Sequence, residues 1–598
     1  MAFRIRIRTM ARRTLRELRA PTRLRVPKRL GVPTRPRVPG PPWPVMTRKA
    51  LSAALLLLIA AAILVSCAGS GQRDPVETAA GKPLSISVFA QQDSTFDLKT
   101  NDFSRLLEEK FNFSFDWQTV PYIGAKQKRQ ISLASGNYPD AYILTSYIDQ
   151  FSQADVLRYG KQGVFYPLND LIDRFAPNIK AAFARDPWLK ELSTAPNGAI
   201  YGLPAFSDCF HCSYPYKLWI HTKWLDRLGL SMPRTTEELR DVLYAFKTRD
   251  PNGNGIADEV PLSGSVEDFG VRVLPYLMNG FVYDDDQTYL TVKDGKVRLS
   301  PATPEWKEGL AYVKSLYDEG LIDAGAFTQD VEAYRRLGEN EEAQILGAGT
   351  AMHPAIFVDT GPDNERGSDY NPVPPLKGPH ASYAVYYRSG ITPGAKFVIT
   401  DKASPEARET LIRIADYLYT PIGQANAEVG MEGVDWRLPL PGEVALGPDS
   451  KAEFARIPVK EGEPSRNSGW AGMGHFYMPK EYRDSWTQDM DIYSPNGYER
   501  RLYEASELYQ GHESPELYPS WAIWLDPDVV DELGMLQANV RNEVDQSAMQ
   551  FITGQKDLNE DWTAYVLRLN ELGADRYLEI MQQAYDEWSR SNAGSAVR

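Results

Sequence analysis

Between residues 84 and 143 the pattern of apolar residues changes period four times, which leaves few folds open. Leu84, Ile86 and Val88 alternate with small or polar residues, the period of a strand; Asn101 then caps a segment carrying Phe103, Leu106 and Leu107 on one helical face. Phe113, Phe115 and Trp117 alternate again, and a helical segment around 127–134 ends at Gly136 before a third strand through Ala141, Tyr142 and Ile143. A βαβαβ order of this kind requires a parallel sheet covered by helices, so the expected class is α/β.

The chain has 598 residues, enough for about three to four average domains or two large lobes. Its net charge of -13 is uneven: residues 1–66 hold fifteen Lys and Arg and one acid, Glu17, leaving 51 basic against 78 acidic residues beyond them, a net of -27. So acidic a body argues against nucleic acid as a partner, because phosphate attraction needs a basic face.

Residues 50–65 are an almost unbroken apolar run behind Arg48-Lys49, short for a membrane span and suited to a signal peptide spanning 46–66. Its end, Leu64-Val65-Ser66-Cys67, resembles a bacterial lipobox. That resemblance implies cleavage before Cys67, a diacylglycerol on its thiol, and a lipid-anchored protein on the outer face of the cytoplasmic membrane. Residues 67–82 then read as a flexible tether. Residues 1–45 are rich in Arg, Pro and Val and cannot build a core, so they are expected to be a non-native or disordered basic extension, with translation starting at Met46.

A second local signal lies at Asp250-Pro251-Asn252-Gly253-Asn254-Gly255-Ile256-Ala257-Asp258-Glu259. Oxygen side chains at positions one, three, five and nine, with Gly at six, are how a chain wraps a hard cation such as Ca2+. Asp250, Asn252, Asn254 and Asp258 would ligate through side chains and Ile256 through its carbonyl. Position twelve is Leu262, so Glu259 is the available substitute for the usual bidentate Glu. Before the loop, Thr235-Thr236-Glu237-Glu238 caps a helix with Leu239, Val242, Leu243 and Phe246 on one face; no second amphipathic helix follows. A solvated Asx/Gly turn is the other reading.

Several phrases in order, Ser135-Gly136-Asn137-Tyr138-Pro139-Asp140, Tyr201-Gly202-Leu203-Pro204, Trp224 to Leu230, the cap at Pro233 to Glu238 and the cation loop, resemble the carbohydrate-binding extracellular solute-binding proteins of ABC importers. The resemblance is to the large lipoprotein branch of Gram-positive bacteria and to the alginate-oligosaccharide binders. It continues through Leu316 to Asp323, Gly394 to Thr400, Asp416 to Tyr419 and Phe551 to Gly554. It implies a two-lobed clamshell of mixed or parallel sheets flanked by helices, with several inter-lobe crossings: 83–206 and 350–430 in lobe 1, 207–349 and 431–590 in lobe 2. It also implies structural calcium on Asp250, Asn252, Asn254, Ile256, Asp258 and Glu259, an oligosaccharide ligand, an ABC permease as partner, and a monomeric receptor.

A sugar cleft needs aromatic faces and polar side chains. Trp470, in the Gly-rich run Ser468-Gly469-Trp470-Ala471-Gly472, is the first candidate, followed by Tyr214, Tyr387 and Trp436, with Asp208 and Arg388 near the lobe crossings; core packing and surface salt bridges are the alternatives. Cys209 and Cys212 are expected to form a disulfide, zinc with His211 and a free thiol pair being the other options. Asp284-Asp285-Asp286 reads as a solvated turn. No nucleophile elbow, zinc-protease motif or P-loop is present, so an enzyme is not expected; a lipoprotein glycosidase is the alternative.

Overall fold

The computed structural model describes residues 84–591 apart from 93, 268, 362, 363, 389 and 461. Cys67, the apolar run, the tether and the basic extension lie outside the described residues. The first strands are β1 (Leu84–Gln92), β2 (Phe113–Pro121), β3 (Ala141–Ile143) and β4 (Leu203–Ser207). After them come β5 (Lys217–His221), the hairpin β6 (Leu290–Lys293) and β7 (Lys296–Leu299), then β8 (Ala348–Ala351) and β9 (Tyr370–Val373). β10 (Gly390–Ile399), the short pair β11 (Trp436–Arg437) and β12 (Ala455–Arg456), and β13 (Tyr477–Met478) complete the set.

Six strands form one sheet in the order β13-β4-β10-β3-β1-β2. β1 is parallel to β2 and β3, as the alternating periods require, whereas β10 is antiparallel to both β3 and β4. The helix Asp102–Phe111 begins where Asn101 accepts a hydrogen bond from the Ser104 amide and ends at Asn112 in a left-handed conformation, φ 52°. Its Phe103 and Leu107 pack with Ile86, Val88, Phe113, Phe397 and Leu411 in the core on one face of this sheet. A second core, built on Phe89, Tyr142, Phe151 and Val398, covers the other.

The second sheet has three strands, β8-β5-β9, with β5 antiparallel to both neighbours. Its core takes in Leu218, Ile220, Phe246, Trp306, Leu310 and the C-terminal helices through Val544, Phe551 and Tyr577. Trp306 lies on the helix Pro304–Asp318, whose N-terminus is capped by Thr303.

The chain passes between the two sheets three times, after β4, before β10 and after β13. This refines the lobe boundaries expected from sequence. Residues 370–373 pair with β5 and so belong with the second sheet, while Tyr477 and Met478 pair with Phe206 and Ser207 and so belong with the first. A boundary set by hydrogen-bonded register does not show in local composition. Two buried lysines hold the connecting loops at this edge. The Lys217 ammonium donates to the carbonyls of His211 (3.1 Å) and Tyr214, and that of Lys396 to Met473 (2.6 Å) and His475 (2.9 Å).

Candidate functional site

The cation loop leaves the helix Thr236–Thr248 at Asp250, whose φ of 46° starts the reversal. The Asp250 carboxylate accepts from the amides of Gly253 (2.9 Å), Asn254 (3.1 Å) and Gly255 (3.0 Å). Asn252 and Asn254 turn their amide groups to Asp258, at 3.0 Å each, and Asn254 Oδ1 accepts from the Ile256 amide at 2.7 Å. One Glu259 oxygen is shielded from solvent without a hydrogen-bond partner. Burial, with Asp258 and Asp250 nearby, raises the Glu259 pKa. An unsatisfied carboxylate oxygen with two further carboxylates near enough to raise its pKa is a donor set whose chemistry suits a divalent cation. Leu262, where an EF-hand carries its last ligand, is fully buried and bridges to Ile322, so the loop leads into a sheet edge and not a helix.

In open α/β sheets ligands bind beyond the carboxyl ends of the strands, where the strand order reverses. Here that point lies between β1 and β3. Gln91 pins the turn after β3, accepting from the Thr145 amide (2.7 Å) and donating to the Asp149 carbonyl (3.0 Å). The Arg129 guanidinium grips the Asp149 carboxylate through two bonds, 2.6 and 2.8 Å. The turn so held presents Tyr147, 65% exposed, and Gly472 leaves room for its ring, since a Cβ there would strike the hydroxyl.

On the second lobe, β5 follows the crossing out of β4 and begins just after Tyr214, Pro215 and Tyr216. Phe269 stands beside it, 38% exposed, its ring 5.8 Å from Tyr216 and 5.6 Å from Tyr387. Gly270, at φ 81°, lets the backbone close on the Pro215 carbonyl and so places Phe269. Tyr387, half-buried, donates to the Asp285 carbonyl. Asp208 and Arg388 lie on the first and second crossings. Burial raises the Asp208 carboxyl, and the Arg388 guanidinium sits over Trp188 at 4.5 Å.

Three aromatic candidates are core residues instead. Trp470 and Trp436 are fully buried, and Tyr214 is 2% exposed with its hydroxyl on Glu513. The indole of Trp470 donates to Ser104 (2.9 Å), and that of Trp436 to Asn426 (3.0 Å) and the Gly430 carbonyl (2.9 Å). Tyr147 escaped the sequence reading although it directly follows the third strand; Phe269 gives no local signal. Cys209 and Cys212 form the expected disulfide, which removes the thiolates a zinc site with His211 would need. Asp284, Asp285 and Asp286 are not a solvated turn, being 1, 8 and 2% exposed. Asp286 pairs with Arg272 and accepts from Tyr216, while Asp285 accepts from the amides of Gln287, Thr288 and Tyr289, so hydrogen bonds offset the burial of these two. Among the described residues the Asp284 carboxylate accepts only from the Asp286 amide (2.8 Å), and burial raises its pKa well above the usual carboxylate range.

Residues 91–425 match the model of the bacterial extracellular solute-binding protein family. A fructooligosaccharide ABC transporter substrate-binding protein, FusA of Streptococcus pneumoniae, is 28% identical over 493 residues, 81% of this chain and 86% of the relative. The solved structure of S. pneumoniae FusA with kestose is similar to 85% of this chain over all of its own length, with TM-score 0.67 and 26% identity. An EF-hand mutant of FusA with fructo-nystose covers the same shares, with TM-score 0.64 and 25% identity. Among the described residues no helix is long and apolar enough to cross a membrane.

Proposed function

This chain belongs to the bacterial extracellular solute-binding protein family, and we propose from that premise that it is a lipid-anchored receptor capturing an oligosaccharide for an ABC permease. The observation that carries the reading is that each lobe offers a partly exposed aromatic near a crossing, Tyr147 in the turn after β3 and Phe269 beside the start of β5, with three crossings joining the two sheets. An oligosaccharide meeting both surfaces favours the closed state, because only there are both contacts made. The fructooligosaccharide that FusA takes directs the ligand class to short fructose oligomers. Asp208, Arg388 and Tyr387 supply polar contacts at the cleft floor, and calcium at 250–259 has a structural role. Cys67 carries the lipid, and the protein turns over no substrate.

Calorimetric titration of the mature chain in calcium with kestose and nystose tests this. Stoichiometric binding with the sugar recovered intact is expected. Cleaved sugar would establish the glycosidase alternative instead, and no binding would remove fructose oligomers from the reading. Tyr147→Ala and Phe269→Ala should each weaken binding about tenfold or more, the cost of losing one aromatic anchor, with little change in melting temperature. Wild-type affinity in both variants would move the site elsewhere.

A further inference from the structure

The first crossing carries a cluster of ligating side chains that the oligosaccharide reading does not use. Cys209, His211 and Cys212 bring one ligand atom each within 4.8 Å of the others, and the His211 imidazole presents Nε2 to both sulfurs at 3.6 Å. From this geometry we infer a redox-gated metal site: when a dithiol opens the disulfide, the two thiolates and His211 Nε2 take a thiophilic divalent cation of the zinc class.

The distances suit such an ion. With Zn–S bonds of about 2.3 Å and Zn–N bonds of about 2.0–2.1 Å, a tetrahedral site has S···N edges of about 3.6 Å. Both edges are already in place. The S···S edge would be about 3.8 Å, which side-chain rotation supplies once the bond is broken, because the two cysteines stand three positions apart on one short loop. That loop has other supports. The Cys209 amide donates to the Ser207 carbonyl (2.8 Å) and the Asp208 amide to that of Met478 (2.9 Å). The Ser213 amide donates to the Phe210 carbonyl (3.2 Å) and its hydroxyl to that of Cys209 (3.3 Å), while Lys217 holds the His211 carbonyl. The ligands therefore stay gathered after reduction.

The other imidazole nitrogen, Nδ1, lies 3.5 Å from the carboxylate of Glu499, on the helix Tyr498–Glu507. A metal-bound histidine commonly gives its second N–H to a carboxylate, which fixes the tautomer and makes the ligating nitrogen more basic. Glu499 is thus a positioning residue. Two thiolates and a neutral imidazole cancel the charge of a divalent ion, so no net charge enters the loop. Sulfur donors also separate this site from the all-oxygen loop at 250–259, which suits a hard cation.

In the opening step the dithiol closes to its own disulfide and passes two electrons and two protons to the Cys209–Cys212 bond. Metal binding then releases both thiol protons to solvent. Disulfide and metal close the same loop in turn, so the crossing keeps its shape in reducing as in oxidising surroundings.

Cobalt(II), a coloured stand-in for zinc, tests the site on the full mature chain after reduction with dithiothreitol and anaerobic removal of the reagent. One equivalent should give thiolate-to-cobalt charge-transfer absorption and tetrahedral d–d bands, both displaced by Zn2+, and Zn2+ should raise the melting temperature of the reduced chain. The oxidised chain should show neither band, and Asp250→Ala should change nothing, since the cation loop has no sulfur. Cys212→Ser should abolish the charge-transfer signal. Glu499→Gln, which keeps both thiols and the disulfide, should weaken binding about tenfold or more with the spectrum retained. A reduced chain with native circular dichroism but no charge-transfer band would overturn the site, as would a reduced chain that Zn2+ leaves unfolded. So would cobalt affinity unchanged in Glu499→Gln and in His211→Ala, which would assign the signal to the thiols alone.

Discussion

Trp470→Ala should lower unfolding free energy by about 3–5 kcal/mol, the usual cost of emptying a large aromatic site in a core, and leave oligosaccharide affinity unchanged. Its ring packs edge-on against Phe103 (4.9 Å), Trp117 (5.8 Å) and Phe115 (6.1 Å). These are the first helix and second strand of the sheet, more than 350 positions away in sequence. The neighbouring Asn467 adds backbone and side-chain bonds to Asp97 and Asn101. The loop is therefore the clasp that ties the late part of the chain to the start of the first lobe. Urea titration read against calorimetry separates the two roles: lost affinity at unchanged stability would return Trp470 to the ligand surface. Trp470→Phe should be milder, losing the bond to Ser104 and part of the packing.

The second large effect concerns the cation loop. In calcium at a hundred times its dissociation constant the protein should gain about 2.7 kcal/mol over the chelated form. Asp250→Ala should abolish that difference. It should also lower the stability of the metal-free form, because the Asp250 carboxylate alone gathers the amides of Gly253, Asn254 and Gly255. Thermal melts with calcium and with chelator measure both quantities. If the site is structural, kestose binding survives in the variant at temperatures where it stays folded. A calcium effect on sugar affinity without one on melting would reverse the assignment.

These residues also show which parts of the structure were legible beforehand. The turn at 250–259 was, since Asx and Gly spacing within ten residues fixes a reversal locally, and so was the βαβαβ start, because period and capping are local. Trp470 and Trp436 misled, because a Gly-rich loop lacks the periodicity that marks burial, yet partners hundreds of residues away can bury it. Asp284 to Asp286 misled for a related reason: acidic residues look solvated until the fold that buries them is formed. The expected lobe division missed the placements of β9 and β13, which are fixed by pairing with β5 and β4. Tyr147 was within reach through the rule for strand ends; Phe269 was not, since only the fold brings its loop to the edge.

The position of β13 at one rim of the first sheet bears on how the polypeptide matures as it emerges from its N-terminus. The sheet begun at Leu84 gains its last strand only at Tyr477–Met478, and the other core still lacks Phe551 and Tyr577 at that stage. Nascent chains shorter than about 480 residues therefore expose the open edge of β4, a template for pairing with other chains. Holdase assistance during synthesis should matter most over that interval, and C-terminal truncations ending before β13 should aggregate more than those ending just beyond it.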